Sequence, residues 1–214
     1  AGSVADRLRE GLQYVRATPD ILRTIMLVGF VGIFGMNFQI WVPILASDSF
    51  GSGGETYGLL FAAMGGGSLV GALALATFGR TPSRTRMLTA AIALGLVEVA
   101  LGIGATIPIP LALGMACLAL AGFASSNAMS TANSIVQTTS SDQLRGRVMA
   151  VYMTVFAGTA PFGFLITGFL ADRFGVGTSL TLCGTVTFVA AVVIAWTQRQ
   201  RPISVPRAVS AQGD

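Results

Sequence analysis

Few side chains in this sequence could carry chemistry. Its 214 residues include no histidine, which removes imidazole acid/base catalysis, histidine metal ligation and Ser-His-Asp triads from the chain. The two cysteines, Cys117 and Cys183, lie far apart inside apolar runs, so neither a disulfide framework nor a zinc cluster is expected. Glu98 is the one ionisable residue deep in any apolar run. In a bilayer such a charge costs about 2.5 kcal/mol or more, so the residue is either a hydrogen-bonded structural acid or a proton-coupling carboxyl. Ala91, Gly95 and Gly102 share its stripe at near-heptad spacing, which predicts that it faces another helix rather than lipid. With no basic residue in these runs to pair with it, the structural role is the favoured of the two.

The other candidates are uncharged. Ser126, Ser130, Asn133 and Gln137 recur at helical spacing, and Asn127, Thr131, Ser134 and Thr138 form the adjoining stripe. A polar face at membrane depth must line a water-filled cavity or meet another polar surface. From Asn133 onward the stripe can simply be leaving the membrane; Ser126, Asn127 and Ser130 are too deep for that, and a cavity is expected beside them. Asn37 and Gln39, two residues apart, fall on different faces. Asn37 shares its face with Phe30, Phe34, Phe38 and Trp41, a surface that suits a bulky, partly apolar ligand and equally suits helix packing.

The elements that position these residues follow from composition. The chain is 53% hydrophobic and 10% charged, too few charges for a soluble surface. Six runs, at residues 24–46, 57–78, 87–107, 111–134, 148–170 and 176–197, reach the roughly 20 residues a membrane-crossing helix needs. Long continuous runs are not the short alternating segments of a β-barrel, so an all-α polytopic membrane protein is predicted. The fourth run is purely apolar for only 14 residues, Leu111 to Ala124, or about 21 Å of helix, so it must include Ser125 to Thr131 to cross.

Twelve of the thirteen arginines fall at alternate ends of the runs. Short basic loops stay in the cytoplasm, so both termini are expected there, in a bacterial plasma membrane, and the net charge of +4 needs no nucleic acid to explain it. Trp41, Tyr57, Tyr152 and Trp196 are expected at the interfaces. Residues 1–20 read as an amphipathic helix on the cytoplasmic face, with Val4, Leu8, Leu12 and Val15 on one stripe, and 201–214 as a polar cytoplasmic tail. Gly67 and Gly71 in the second run, and Gly158, Gly163 and Gly168 in the fifth, predict close helix contacts.

Between the fourth and fifth runs, Ser141-Asp142-Gln143-Leu144-Arg145-Gly146-Arg147-Val148-Met149 resembles the Asp-x-x-Arg-Gly-Arg-Val segment of bacterial major facilitator superfamily exporters, in the branch of the enterobactin exporter and macrolide efflux proteins. Phe34-Gly35-Met36-Asn37-Phe38-Gln39, with Pro43, is similar to the start of that family's seventh helix. The resemblance implies the C-terminal six-helix half of a secondary-active transporter. By it, runs one, two, four and five face a cavity between two halves, runs three and six lie at the periphery, and Glu98 loses weight as a coupling residue. A substrate pathway of Asn37, Gln39, Ser126, Asn127, Ser130 and Phe156 is expected, with Asp142, Arg145 and Arg147 as cytoplasmic gate or inter-domain residues.

Arg80 stands where the superfamily's Gly-x-x-x-Asp-Arg-x-Gly loop is expected, but without its aspartate. The matching Gly168-x-x-x-Asp172-Arg173-x-Gly175 falls at the opposite end and reads as a turn with a local ion pair. The expectation is export of an amphipathic small molecule, a siderophore or drug, driven by a proton gradient without a bound cofactor or covalent chemistry. Partners would be membrane lipid, the N-terminal half or a dimer partner, and the substrate. The alternative is a non-transporting scaffold or anchor module that pairs with a partner. The chain starts at Ala1 rather than methionine, which fits a piece of a longer protein.

Overall fold

The computed structural model of the protein describes residues 4–50, 54–79 and 81–199. Arg80, Ser3 and the tail 201–214 lie outside them. Every regular element described is helical, and six helical stretches are long and apolar enough to cross a membrane, with α1 (Val4–Ala17) ahead of them. The first span runs through Pro19–Ser49, longer at both ends than the apolar run alone. Pro19 opens it at a position where its missing donor costs nothing.

That first span is not one continuous rod. It consists of α2 (Pro19–Phe30), a π-helical turn over Val31–Gly35, a break at Met36 and Asn37, α3 (Phe38–Ile44), and a second π turn over Leu45–Ser49. Met36 at φ −127°, ψ 26° and Asn37 at φ −96°, ψ 29° leave the helical region. Local sequence accounts for this: Gly32 and Gly35 weaken the helix before the break, and Pro43 removes a donor from the ladder after it. The other spans, α4 (Gly54–Phe78), α5 (Arg84–Gly104), α6 (Leu111–Thr139), α7 (Arg145–Phe174) and α8 (Val176–Arg199), are single helices.

Glycine sets how they meet. On α5 and α8, antiparallel neighbours, Gly95 opposes Gly184 and Gly102 opposes Gly177; a Cβ on any of the four would come within 2.7 to 2.8 Å of its partner's carbonyl oxygen. On α4, Gly67 lies against the Ala119 backbone and Gly71 against Phe123 and Asn127 of α6. Gly163 of α7 abuts Asn37, but Gly158 and Gly168 have open space before them; only one of the three expected close contacts on that helix is made. Gly175, at φ +82°, supplies the left-handed residue that ends α7 and lets α8 start at once.

The four aromatic residues expected at the interfaces differ in burial. Tyr57 and Trp196 are exposed, but Trp41 and Tyr152 are buried. Trp41 is drawn inward because its indole N–H finds a partner inside, the Ser179 hydroxyl at 3.0 Å. On α1, Val15 is buried while Leu12 stays 40% exposed. The packed side of that helix is Gly11, Tyr14 and Val15, because Gly11 lets α1 reach the Arg147 backbone at the start of α7.

The core lies among the first span, α5, α6 and α8. By contrast, only 11% of the membrane-crossing residues of α4 and 17% of those of α7 are buried, against 39 to 56% in the other four.

Candidate functional site

Glu98 sits on the α5 face turned to α8, fully buried. Gly184 makes room for it: a Cβ there would lie 2.7 Å from the Glu98 Cβ. The polar side chain facing the carboxyl group is Thr187, also fully buried. Neither carboxylate oxygen and not the Thr187 Oγ1 completes a hydrogen bond of regular geometry. Thr187 in turn touches the first span at Gly35, where a Cβ would fall 3.2 Å from its hydroxyl. An acid without a cationic partner among the described residues thus connects, through one threonine, to the end of the π turn that precedes the break.

Asn37 occupies the break itself and is fully buried. Its Nδ2 donates to the Ile33 carbonyl at 2.6 Å, and its Oδ1 has no partner and lies against Gly163 of α7. Four residues further, the Trp41 indole donates to Ser179, whose hydroxyl donates to the Thr167 carbonyl at 3.1 Å. Thr167 completes the chain by donating to the Gly163 carbonyl at 2.7 Å. This relay ties α3, α8 and α7 together beside the break. Gln39, on the other side of α3, is exposed.

The polar face of α6 divides in two. Asn127 and Thr131 are buried. Asn127 is committed to the α4 contact, its Nδ2 donating to the carbonyls of Gly71 at 3.3 Å and Phe123 at 2.9 Å. Ser126, Ser130, Asn133 and Ser134 are half-buried, and Gln137 and Thr138 are exposed. The open stripe is therefore Ser126, Ser130, Asn133 and Gln137, with Gln137 donating to Asn133 at 2.9 Å. Phe156 on α7 is partly exposed and stacks on Tyr152 with centroids 6.2 Å apart.

At the arginine-bearing end, three of the arginines pair with acids. Arg145 pairs with Asp142 at 2.5 Å and also donates to the Gln137 carbonyl at 3.0 Å. Arg147 pairs with Glu10 of α1, while the Tyr14 hydroxyl accepts from the Ser141 N–H at 3.3 Å. Arg84 pairs with Asp20, joining the starts of α5 and the first span. The expected ion pair between Asp172 and Arg173 is not among those formed by the described residues; the Arg173 guanidinium lies over the Phe169 ring, 5.9 Å from its centre. A cation four residues along a helix reaches back over the ring, whereas adjacent residues point apart.

The sequence reading missed Glu10, Thr187 and the Trp41, Ser179 and Thr167 relay. A signal existed for α8: Gly177 and Gly184 repeat the seven-residue spacing of Gly95 and Gly102, which marks α8 as the helix Glu98 faces.

The chain matches the transmembrane secretion effector family over residues 2–211. It is 32% identical over 197 residues to the multidrug efflux pump Tap of Mycolicibacterium fortuitum, covering 91% of this chain and 46% of that protein. It is 34% identical over 115 residues to Tap of Mycobacterium tuberculosis, covering 53% and 26%. It is 23% identical over 187 residues to macrolide efflux protein A of Streptococcus pyogenes, covering 87% and 46%. The chain spans about half the length of the curated relatives that it matches most fully. No solved structure matches it significantly.

Proposed function

Because the chain belongs to the transmembrane secretion effector family, a family of major facilitator efflux transporters, we propose that it forms one six-helix half of a proton-driven exporter of amphipathic, drug-like molecules. The observation that carries the reading is the uneven burial of the spans. Four helices build a core while α4 and α7 turn Leu69, Val70, Leu73, Phe162, Leu165 and Phe169 outward. Two open helices on one self-sufficient core are what a half needs to pair with a second half about an axis along the membrane normal.

On this reading the arginine-bearing end is cytoplasmic. The pathway side chains are those still open: Gln39, Ser126, Ser130 and Phe156. Asn37 and Asn127 hold the walls, the first against α7 and the second against α4. Asp142, Arg145 and Arg147 form the cytoplasmic gate with α1. Glu98 is the proton-coupling carboxyl, because its contact with Thr187, and through it Gly35, gives a change at the acid a route to the broken span.

The test is drug accumulation in cells expressing the intact transporter, compared for a macrolide and a siderophore, with and without a protonophore. The expected result is several-fold lower macrolide accumulation that the protonophore abolishes. Unchanged accumulation of both compounds would overturn the exporter reading, and protonophore-insensitive export would overturn the coupling.

A further inference from the structure

Helices α4 and α5 both lie along α6 but scarcely touch each other. Between them runs a groove of about 450 Å³, open along its length, with Phe123 and Ala124 of α6 as its floor. Its walls are mostly apolar, Ala74 and Phe78 on one side and Ala90 and Ala93 on the other, with Thr89 and Asn127 as the uncharged polar lining. Near one end stands a single charged side chain, Arg86, in the first turn of α5.

Arg86 is not satisfied where it stands. Its Nη1 is buried without a hydrogen-bond partner among the described residues, tucked against Gly79, where a Cβ would lie 2.8 Å away. Its Nη2 reaches only the Phe78 carbonyl, at 3.5 Å. Arg84, Arg145 and Arg147 each have a carboxylate, but among the described residues no ion pair includes Arg86. The negative end of α4 explains why the guanidinium leans towards Phe78. It supplies half a charge and a long hydrogen bond, which leaves most of the donor fork vacant.

We propose that this groove is a binding site for an anionic phospholipid, whose phosphate takes the Arg86 fork and whose acyl chain lies along the apolar walls towards Ala93. A guanidinium pairs a phosphate with two parallel hydrogen bonds. From Arg86 to Ala93 the groove follows about 10 Å of helix, so the ligand must be charged at one end and apolar over at least that length. A free anion would leave the walls empty, and a neutral chain would leave the guanidinium unpaired. The proposal rests on the unit being a half of a membrane transporter, with the arginine-bearing end at the cytoplasmic leaflet.

The experiment uses the purified full-length transporter, stripped of lipid in detergent and titrated with dioleoyl phosphatidylglycerol or dioleoyl phosphatidylcholine, with retained lipid counted by native mass spectrometry. The readout needs no transport, so it stands or falls separately from the exporter reading. Wild type should retain the anionic lipid about tenfold more tightly than the zwitterionic one, a difference of about 1.4 kcal/mol. Arg86→Gln should erase that preference while keeping residual binding of both lipids, and Ala93→Phe, which fills the groove, should lower both. Size-exclusion profiles and melting curves establish that each variant is folded. Equal retention of the two lipids by wild type would overturn the proposal, as would retention unchanged in both folded variants. Displacement of phosphatidylglycerol by millimolar inorganic phosphate would also overturn it, since the site would then bind the anion without the chain.

Discussion

Gly102 of α5 and Gly177 of α8 face each other so closely that a Cβ on either would lie 2.7 Å from the other's carbonyl oxygen. Two helical turns away, Gly95 and Gly184 stand in the same relation, and Glu98 is fixed between the two pairs. In a bilayer, where apolar contact alone gives helices little reason to associate, backbone approach of this kind replaces the hydrophobic effect as the source of packing.

Gly102→Val should therefore destabilise the unit. Overpacking typically costs about 1–3 kcal/mol, and here the added atoms meet backbone that cannot swing aside, so the upper end is expected. Gly158→Val, which faces open space, should be neutral or slightly stabilising, because valine is the better helix former by roughly a few tenths of a kcal/mol. Melting curves of the two variants in detergent give the comparison; equal losses would contradict the seam.

Glu98→Gln should separate coupling from packing. The amide fills the same space, so the melting temperature should hold within a few degrees, but proton-driven export should fall at least about tenfold, equivalent to about 1.4 kcal/mol in the transport barrier. Thr187→Val should weaken export in the same direction while preserving the seam. If Glu98→Gln exports like wild type, the carboxyl is structural.

Docking of α1 should depend more on Gly11 than on the ion pair above it. Exposed pairs such as Glu10 with Arg147 contribute about 0.2–1 kcal/mol, whereas a side chain at Gly11 meets the Arg147 carbonyl directly. Gly11→Leu should increase hydrogen exchange in Val4–Ala17 and at the start of α7 strongly, and Glu10→Gln only slightly. A charge swap, Glu10→Arg with Arg147→Glu, should restore most of what Arg147→Glu alone loses.

Asn127→Leu should loosen α4 from α6 without altering the α5 and α8 seam. Interhelical hydrogen bonds in membranes average about 0.6 kcal/mol and reach about 1.7, and the leucine would also crowd Gly71. Cross-linking between cysteines placed on α4 and α6 should slow in the variant, and a pair on α5 and α8 should be unaffected.

Much of this was legible in the sequence, for identifiable reasons. Six spans follow from apolar length alone, and the inward facing of Glu98 follows from Gly95 and Gly102 on its stripe. The long first apolar run was read as one helix, because hydropathy counts apolar residues and is blind to the low helix propensity of Gly32 and Gly35 and to the donor that Pro43 lacks. Asn127 was read as a pathway residue because depth and polarity do not reveal a partner on another helix; only the approach of Gly71 shows where its amide is spent. The burial of Trp41 was not legible for the same reason, since its partner Ser179 is remote in sequence. Ion pairs such as Glu10 with Arg147 depend on how an interfacial helix docks, which no periodicity encodes.

The break at Met36 and Asn37 gives the first span two short rods in series rather than one stiff beam. Above α2 the span is held sideways, at the π turn through Gly35 to Thr187 and beyond the break through Trp41, Ser179 and Thr167. The interruption thus leaves the direction of each rod to be set by the helices beside it rather than by a continuous helical ladder.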